Sequence, residues 1–303
     1  MTQRRFGEPL PLGNERLPYS KGLMTQALLA AGVPADRAYQ LARALEVDLA
    51  ERNERIVDLD RLHEVACQVL GAEEGERAVS RLRRLGDLHA LDVPLIVLIG
   101  GTTGTGKSTV ATEVAHRLGI TRVTSTDFIR QTMRAFFSDQ FMPSIHYSSF
   151  EAGEALDGDT TADPLLSGFV DQCRNVCVGV DAAIRRSLTE GWSMVLEGVH
   201  LVPGMVPAHL EGALLLHVVM EIGNEEAHRL HFHVRDAATG GVRAMERYLE
   251  RIDDIRRIQS FIVGRARRES VAVVENANVD RAIDQVIELV MRLADVSGAE
   301  PLG

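Results

Sequence analysis

The residues best suited to chemistry in this chain form a glycine-rich run, GTTGTGKS, from Gly101 to Ser108. Its spacing, G-x-x-x-x-G-K-[ST], is that of a phosphate-binding loop. In such a loop backbone N–H groups surround the α- and β-phosphates, Lys107 reaches the β- and γ-phosphates, and the Ser108 hydroxyl ligates Mg²⁺. The run therefore predicts a nucleoside triphosphate site. The predicted nucleotide-binding residues are Gly101, Thr102, Thr103, Gly104, Thr105, Gly106, Lys107, Ser108 and Thr109.

The context of the run supports this interpretation. Residues 93–99 are apolar and rich in β-branched side chains, as in a buried parallel strand, and residues 109–118 show helical spacing of apolar side chains. A strand, a glycine loop and a helix in this order place phosphates at the start of the helix. A chance match, expected in about 1% of chains of this length, is the weaker explanation.

Two acidic residues follow other predicted strands. Ligands of parallel sheets bind beyond the carboxyl ends of the strands, so polar residues there are candidates for function. Asp127 follows a strand at 121–126 and begins a helix, where it either takes the proton of an attacking hydroxyl or caps the helix. Glu197 ends a strand at 193–197 and is predicted to orient Mg²⁺ together with Ser108. Lys107, Asp127 and Glu197 are thus predicted catalytic residues.

Two arginines follow Asp127 on the same helical face, because Arg130 and Arg134 lie three and seven residues further along. Guanidinium groups in this arrangement suit a doubly anionic acceptor whose hydroxyl lies near the carboxylate. A solvated face with an Asp127–Arg130 ion pair is the alternative.

The segment 228–235 resembles a mobile lid whose arginines, Arg229 and Arg235, contact the transferring phosphoryl group. Its histidines at 231 and 233 have no further ligand at zinc spacing, and a surface position is expected for both. Arg256 either lines the same cleft or lies on an ordinary exposed helix face.

The order of predicted elements indicates an α/β fold. Strands alternate with helices after residue 93, which predicts a parallel sheet with helices on both faces. Before it, a small helical domain is predicted at 1–92, and the phosphate-binding domain at 93–303. The predicted helices are 22–31, 36–52, 58–70, 73–88, 109–118, 128–137, 164–190, 207–210, 224–235, 242–269 and 279–294, and the further strands are 213–222 and 271–274.

Composition limits the partners. The chain of 303 residues has 45% hydrophobic residues and a formal net charge of −10, which disfavours nucleic acid as a partner. The first 20 residues lack the apolar stretch of a signal peptide, and no apolar run is long enough to span a membrane, so a cytoplasmic location is expected. Between Arg134 and Arg174 there are seven acidic residues and no lysine or arginine.

Taken together, several segments make the chain similar to the 2-phosphoglycerate kinase family, over nearly its whole length. They are GGTTGTGKST at 100–109, STDFIR at 125–130, HYSSF at 146–150, LEGVHLVPG at 196–204 and IRRIQ at 255–259. The N-terminal LPYSKGL at 17–23 and the helices that follow resemble an ATP-cone domain. LEGVHLVPG and IRRIQ distinguish this family from other small-molecule kinases with a phosphate-binding loop.

The resemblance implies transfer of the γ-phosphoryl group of ATP to the 3-hydroxyl of 2-phosphoglycerate, giving 2,3-bisphosphoglycerate, with Mg²⁺ as cofactor. The substrate-binding set would comprise Asp127, Arg130, Arg134, Ser148, Ser149, His200 and Arg256. A kinase for another small hydroxyl compound and an ATP-sensing regulatory protein are the alternatives; Asp127 favours a kinase, because a sensor needs no acceptor base. The chain would act on a small anionic substrate, and a homo-oligomer is compatible with the sequence.

Overall fold

A computed structural model of the chain describes residues 19–91, 93–156, 163–239 and 245–299. These residues divide into two compact units. One unit is helical and includes residues 19–91, 93, 114–121 and 288–299; the other consists of described residues within 94–113 and 122–287 and carries the β-strands. The domain limits predicted from the sequence, 1–92 and 93–303, stay a prediction.

The helical unit begins with four helices close to the predicted positions. They are α1 (Lys21–Ala30), α2 (Ala35–Arg52), α3 (Leu59–Leu70) and α4 (Ala72–Ala90). The Asp58 carboxylate caps α3 by accepting a hydrogen bond from the Arg61 N–H at 2.7 Å. The ammonium of Lys21, in the segment that resembles an ATP-cone, lies 3.2 Å from Glu46 and over the Tyr39 ring. Nucleotide binding by this unit remains a prediction.

The second unit is built on five parallel strands in the order β2-β3-β1-β4-β5. This confirms the predicted parallel sheet. The strands are β1 (Leu95–Gly100), β2 (Val123–Ser125), β3 (Met194–Gly198), β4 (Leu214–Glu221) and β5 (Ala272–Glu275). The remaining helices are α5 (Lys107–Arg117), α6 (Thr126–Arg134), α7 (Pro164–Thr189), α8 (Glu225–Thr239), α9 (Met245–Glu250), α10 (Ile252–Arg268) and α11 (Val279–Ala299).

Apolar packing fixes the carboxyl edge of the sheet. Every residue of β1 is buried, as expected for a central parallel strand that is covered on both faces. Ile96 and Leu98 pack in one cluster with Val176 and Val180 of α7. A second cluster joins Phe169 of α7 and Val219 of β4 to the apolar face of α10. The strand ends that carry the predicted site are thus anchored in a close-packed interior.

Two predicted helices differ from the structure. Residues 207–210 are irregular, with a single bend at Ala208, instead of helical. A segment of four residues forms too few hydrogen bonds to offset the cost of helix nucleation. Residues 242–244 of the helix predicted at 242–269 lie outside the described residues, and the rest of it contains two helices, α9 and α10, which are separated at Arg251. Within the described residues, no helix combines the length and apolar character needed to cross a membrane.

Candidate active site

The phosphate-binding loop follows β1 and ends where α5 begins, at Lys107. Gly101, Gly104 and Gly106 have φ values of 139°, 86° and 77°, which side chains other than glycine rarely adopt. A Cβ atom on Gly104 would lie 2.6 Å from the ring of Phe232, and one on Gly106 would lie 2.3 Å from the Asn276 amide. The glycines of the motif are therefore required both by the backbone conformation and by close neighbours.

Side chains from distant elements hold three successive carbonyl groups of this loop. His228 Nε2 donates to Thr103 O at 2.8 Å, His231 Nδ1 donates to Gly104 O at 3.0 Å, and Asn276 Nδ2 donates to Thr105 O at 2.9 Å. In a trans peptide the carbonyl and the following N–H point in opposite directions. The N–H groups of Gly104 and Gly106 consequently face away from these side chains, which is the arrangement that phosphate binding needs.

His228 is fully buried, and burial lowers the pKa of its imidazole despite the hydrogen bond to Thr103. The ring is therefore neutral near pH 7, with its proton on Nε2, because a carbonyl oxygen can only accept. The start of the predicted lid at 228–235 is thus a helix that is attached to the phosphate-binding loop.

The predicted Mg²⁺ ligands lie together. Ser108 Oγ donates to Glu197 Oε1 at 2.9 Å, across 89 positions of sequence. Glu197 on β3 lies opposite Ile99 of β1 and Ser125 of β2 in the strand register, and it is 8% exposed. A hydroxyl and a carboxylate that meet at a phosphate-binding loop form an oxygen-donor set that suits Mg²⁺.

Asp127 lies in the first turn of α6 and does not cap the helix. The cap is Ser125, whose hydroxyl accepts a hydrogen bond from Phe128 N at 3.0 Å. Partial burial acts to raise the pKa of Asp127, but the positive charges of His200 in its protonated form, of Arg130 and of Lys107 outweigh it, and the pKa is lowered. The carboxylate is thus ionised at neutral pH, 60% exposed, and within electrostatic range of the lysine of the phosphate-binding loop.

The two arginines of α6 have different surroundings. Arg130 is 9% exposed and donates to the carbonyl oxygens of Ile145 and Tyr147, both at 2.8 Å, while its Nε lies 3.5 Å from Asp127 Oδ1. Arg134 is partly exposed and contacts the Gln131 side chain at 3.1 Å. The Arg130 guanidinium thus forms hydrogen bonds with backbone carbonyls and an ion pair with Asp127, whereas the Arg134 guanidinium is partly exposed to solvent.

His200 and the two serines lie beside this arrangement. His200 is fully buried, with Nδ1 2.7 Å from Thr126 Oγ1 and Nε2 3.0 Å from Gln172 Oε1. Burial lowers its pKa to about 3, so the ring is neutral. Ser148 is half-buried and Ser149 buried, directly after the carbonyls that Arg130 binds.

Arg229 and Arg256 lie near the segment that follows the carboxyl end of β4. Arg229 pairs with Glu225 at 2.9 Å, and Arg256 lies 3.8 Å from the same carboxylate while donating to Gly223 O at 2.9 Å. The two arginines therefore share one acidic partner. Arg235 belongs to α8, but its side chain lies outside the described residues.

Curated proteins provide the comparison that decides the family, whereas no family model matches the chain. A 2-phosphoglycerate kinase of Pyrococcus furiosus is 34% identical over 92% of this chain and 91% of its own length. The protein of the same name from Methanothermobacter thermautotrophicus is 36% identical over 93% of both chains. The chain belongs to the 2-phosphoglycerate kinase family. Among solved structures, a gluconokinase from Sinorhizobium meliloti 1021 aligns with 69% of this chain and 98% of its own, with 16% identity and a TM-score of 0.40.

In this member of the 2-phosphoglycerate kinase family, sequence reasoning missed Asn276. The residue follows the last strand, β5, and it is buried against the phosphate-binding loop. The rule that identified Asp127 and Glu197, a polar side chain just after a parallel strand, applies equally to Asn276.

The arginines that neutralise the acidic stretch were missed as well. Arg247 pairs with Glu151, Arg251 with Glu154, and Arg257 with Asp163. Each pair joins positions more than 90 residues apart in sequence, and no local pattern indicates it. The acidic side chains of this stretch that are paired in this way face arginines of α9, of α10 and of the residue between them.

Proposed function

We propose that this chain transfers the γ-phosphoryl group of ATP to the 3-hydroxyl of 2-phosphoglycerate, which gives 2,3-bisphosphoglycerate and ADP. The relatives named above are kinases for this substrate by name. The observation that carries the proposal within the structure is the ionised Asp127 carboxylate in electrostatic range of Lys107. This supports Asp127 as a candidate base for the acceptor hydroxyl and Lys107 as a candidate contact for the γ-phosphate.

In this reaction the bond between the γ-phosphorus and the bridging oxygen of ADP breaks, and a bond to the acceptor oxygen forms. Asp127 takes the hydroxyl proton, and Lys107 stabilises negative charge on the transferring group. Such transfer depends mainly on positioning and electrostatics rather than on covalent catalysis. Ser108 and Glu197 would hold Mg²⁺, which neutralises charge on the phosphates when bound.

The acceptor carries a carboxylate and a phosphate, and we assign the partly exposed guanidinium of Arg134 to one of them. Arg130 would act mainly through Asp127 and through the 145–147 backbone that it binds. Arg229, Arg235 and Arg256 remain candidates for contact with the phosphoryl group, and Ser148 and Ser149 for contact with the acceptor. A cytoplasmic location, a homo-oligomer and the absence of nucleic-acid partners remain predictions.

Arg134→Ala is expected to raise the KM for 2-phosphoglycerate by about 10-fold or more, with the KM for ATP nearly unchanged, since a charge-assisted hydrogen bond contributes about 1.5–3 kcal/mol. Steady-state kinetics with each substrate varied would measure both constants. Arg185→Ala is the matched control, because Arg185 is an exposed arginine of α7 whose partner is Asp181. An effect on ATP alone, or on neither constant, would place the acceptor elsewhere.

The experiment that tests the function is ATP turnover by the purified chain with and without 2-phosphoglycerate, with product identified by phosphorus NMR. We expect turnover that depends on 2-phosphoglycerate and yields a second phosphomonoester at C3. Glycerate, 3-phosphoglycerate and gluconate serve as competing acceptors. Faster turnover of one of these would indicate a different small-molecule kinase, and nucleotide binding without turnover of any acceptor would indicate a sensor.

A further inference from the structure

Five buried polar residues surround the first turn of α6. They belong to α6, to α7, to the segment after β3 and to the segment that leads to Ser148. They are Thr126, Arg130, Ser144, Gln172 and His200. Buried polar groups are costly unless they are paired, so the pairing of this cluster is informative.

Hydrogen-bond chemistry determines where the protons lie. Gln172 Nε2 donates to the carbonyl oxygens of Ser144, at 2.5 Å, and Tyr147, at 3.0 Å. Its Oε1 therefore faces His200 and can only accept, so the His200 proton is on Nε2. His200 Nδ1 is then an acceptor, and the bond at 2.7 Å must come from the Thr126 hydroxyl. Every bond in this series has one possible direction.

The series closes into a ring on α6. The Tyr147 carbonyl oxygen accepts hydrogen bonds from both Gln172 and Arg130. Because Arg130 and Thr126 both belong to α6, the hydrogen bonds form a ring that begins and ends on this helix. Asp127 directly follows Thr126 and is the ion-pair partner of Arg130. Asp127 thus follows one member of the ring in sequence, and its carboxylate pairs with another.

Gly198 leaves the space in which the Thr126 hydroxyl can reach His200. A Cβ atom at Gly198 would lie 1.8 Å from Thr126 Oγ1, closer than any real contact. The glycine that ends β3 therefore leaves space for the hydrogen bond between Thr126 and His200.

We propose that Thr126, His200 and Gln172 are positioning residues. They fix the first turn of α6 so that Asp127 meets the acceptor hydroxyl, and they connect this turn to the segment that carries Ser148 and Ser149. This inference rests on the proposed function. For His200, the positioning role replaces the direct contact with substrate that was expected from the sequence, because the ring is buried and both of its nitrogens form hydrogen bonds with protein side chains. A misplacement of about 1 Å costs about 10²-fold in rate, so the ring affects chemistry more than nucleotide binding.

The test compares Thr126→Val, which keeps the shape and removes the hydroxyl, with Thr126→Ser, which keeps the hydroxyl. Thr126→Val is expected to lower kcat by about 10²-fold with the KM for ATP within about twofold of wild type, and Thr126→Ser to restore most of the rate. Thr132→Val is the matched control, since the Thr132 hydroxyl donates only to Phe128 O of its own helix. Circular dichroism and thermal melting verify folding of each variant.

Gln172→Met breaks the ring of hydrogen bonds at a second place, and it tests the inference if Thr126→Val does not fold. It removes the two hydrogen bonds that Gln172 donates to Ser144 O and Tyr147 O, while those from Arg130 remain. The KM for 2-phosphoglycerate is therefore expected to rise at least about fivefold, while that for ATP stays constant. A Thr126→Val enzyme as active as Thr132→Val, or a folded Gln172→Met enzyme with unchanged acceptor kinetics, would overturn the inference. Failure of wild type to use 2-phosphoglycerate would instead contradict the proposed function, and the same variants would then be compared with the acceptor that wild type does use.

Discussion

Lys107→Ala is expected to lower kcat by roughly 10² to 10³-fold, because it removes a positive charge from the place where negative charge develops on the transferring group. The Lys107 ammonium lies over the phosphate-binding loop, 3.2 Å from Thr102 O, and its charge helps to lower the pKa of Asp127. Initial rates with 2-phosphoglycerate at saturating ATP would measure the effect. The protein should stay folded, since the lysine is only partly buried.

Lys107→Arg separates charge from shape. A guanidinium keeps the charge but not the compact ammonium, so we expect an activity between wild type and Lys107→Ala. Arg185→Ala again controls for the loss of an ordinary exposed cation. Near-normal turnover by a folded Lys107→Ala protein would exclude phosphoryl transfer at this loop.

Glu197→Gln is expected to reduce kcat by a similar factor, roughly 10² to 10³-fold, while the fold is kept. Glutamine has the same shape and can still accept the hydrogen bond from Ser108 through its Oε1. What it lacks is the negative charge that would attract Mg²⁺. The loss should therefore be accompanied by a higher Mg²⁺ concentration for half-maximal activity, measured by titration at fixed ATP.

Glu190→Gln is the control for this substitution, because Glu190 pairs with Arg186 at the end of α7. It should leave both the rate and the Mg²⁺ requirement unchanged. If Glu197→Gln shows the same Mg²⁺ requirement as wild type, the carboxylate has a structural role in the hydrogen bond to Ser108 and none in holding the metal.

Much of the fold and the nucleotide half of the site could be predicted from the sequence because their signals are local. The G-x-x-x-x-G-K-[ST] spacing specifies one loop between one strand and one helix, and positive φ values at Gly101, Gly104 and Gly106 follow from that loop. The positions of Asp127 and Glu197 after predicted strands indicated that they lie at the same edge. In the structure Glu197 and Ser125 are register partners there, two residues before Asp127.

The acceptor half depended on contacts that spacing along the chain does not encode. Arg130 and Arg134 lie on one helix and are equivalent by spacing, yet only Arg130 meets the carbonyls of Ile145 and Tyr147 and becomes buried. His200 was expected to bind substrate, and the structure surrounds it with Thr126 and Gln172.

The sequence by itself determined that this chain has a phosphate-binding loop, a parallel sheet and acidic residues at the ends of strands, because each is encoded within a few successive residues. Only the tertiary structure decided which side chains support that loop and which are buried around the first turn of α6. Asn276 and Thr105 are 171 positions apart, and they meet because β5 and β1 belong to one sheet. The physical reason is that hydrogen-bond partners are chosen by proximity in the folded sheet, where buried polar groups must be satisfied by whatever the topology brings near them.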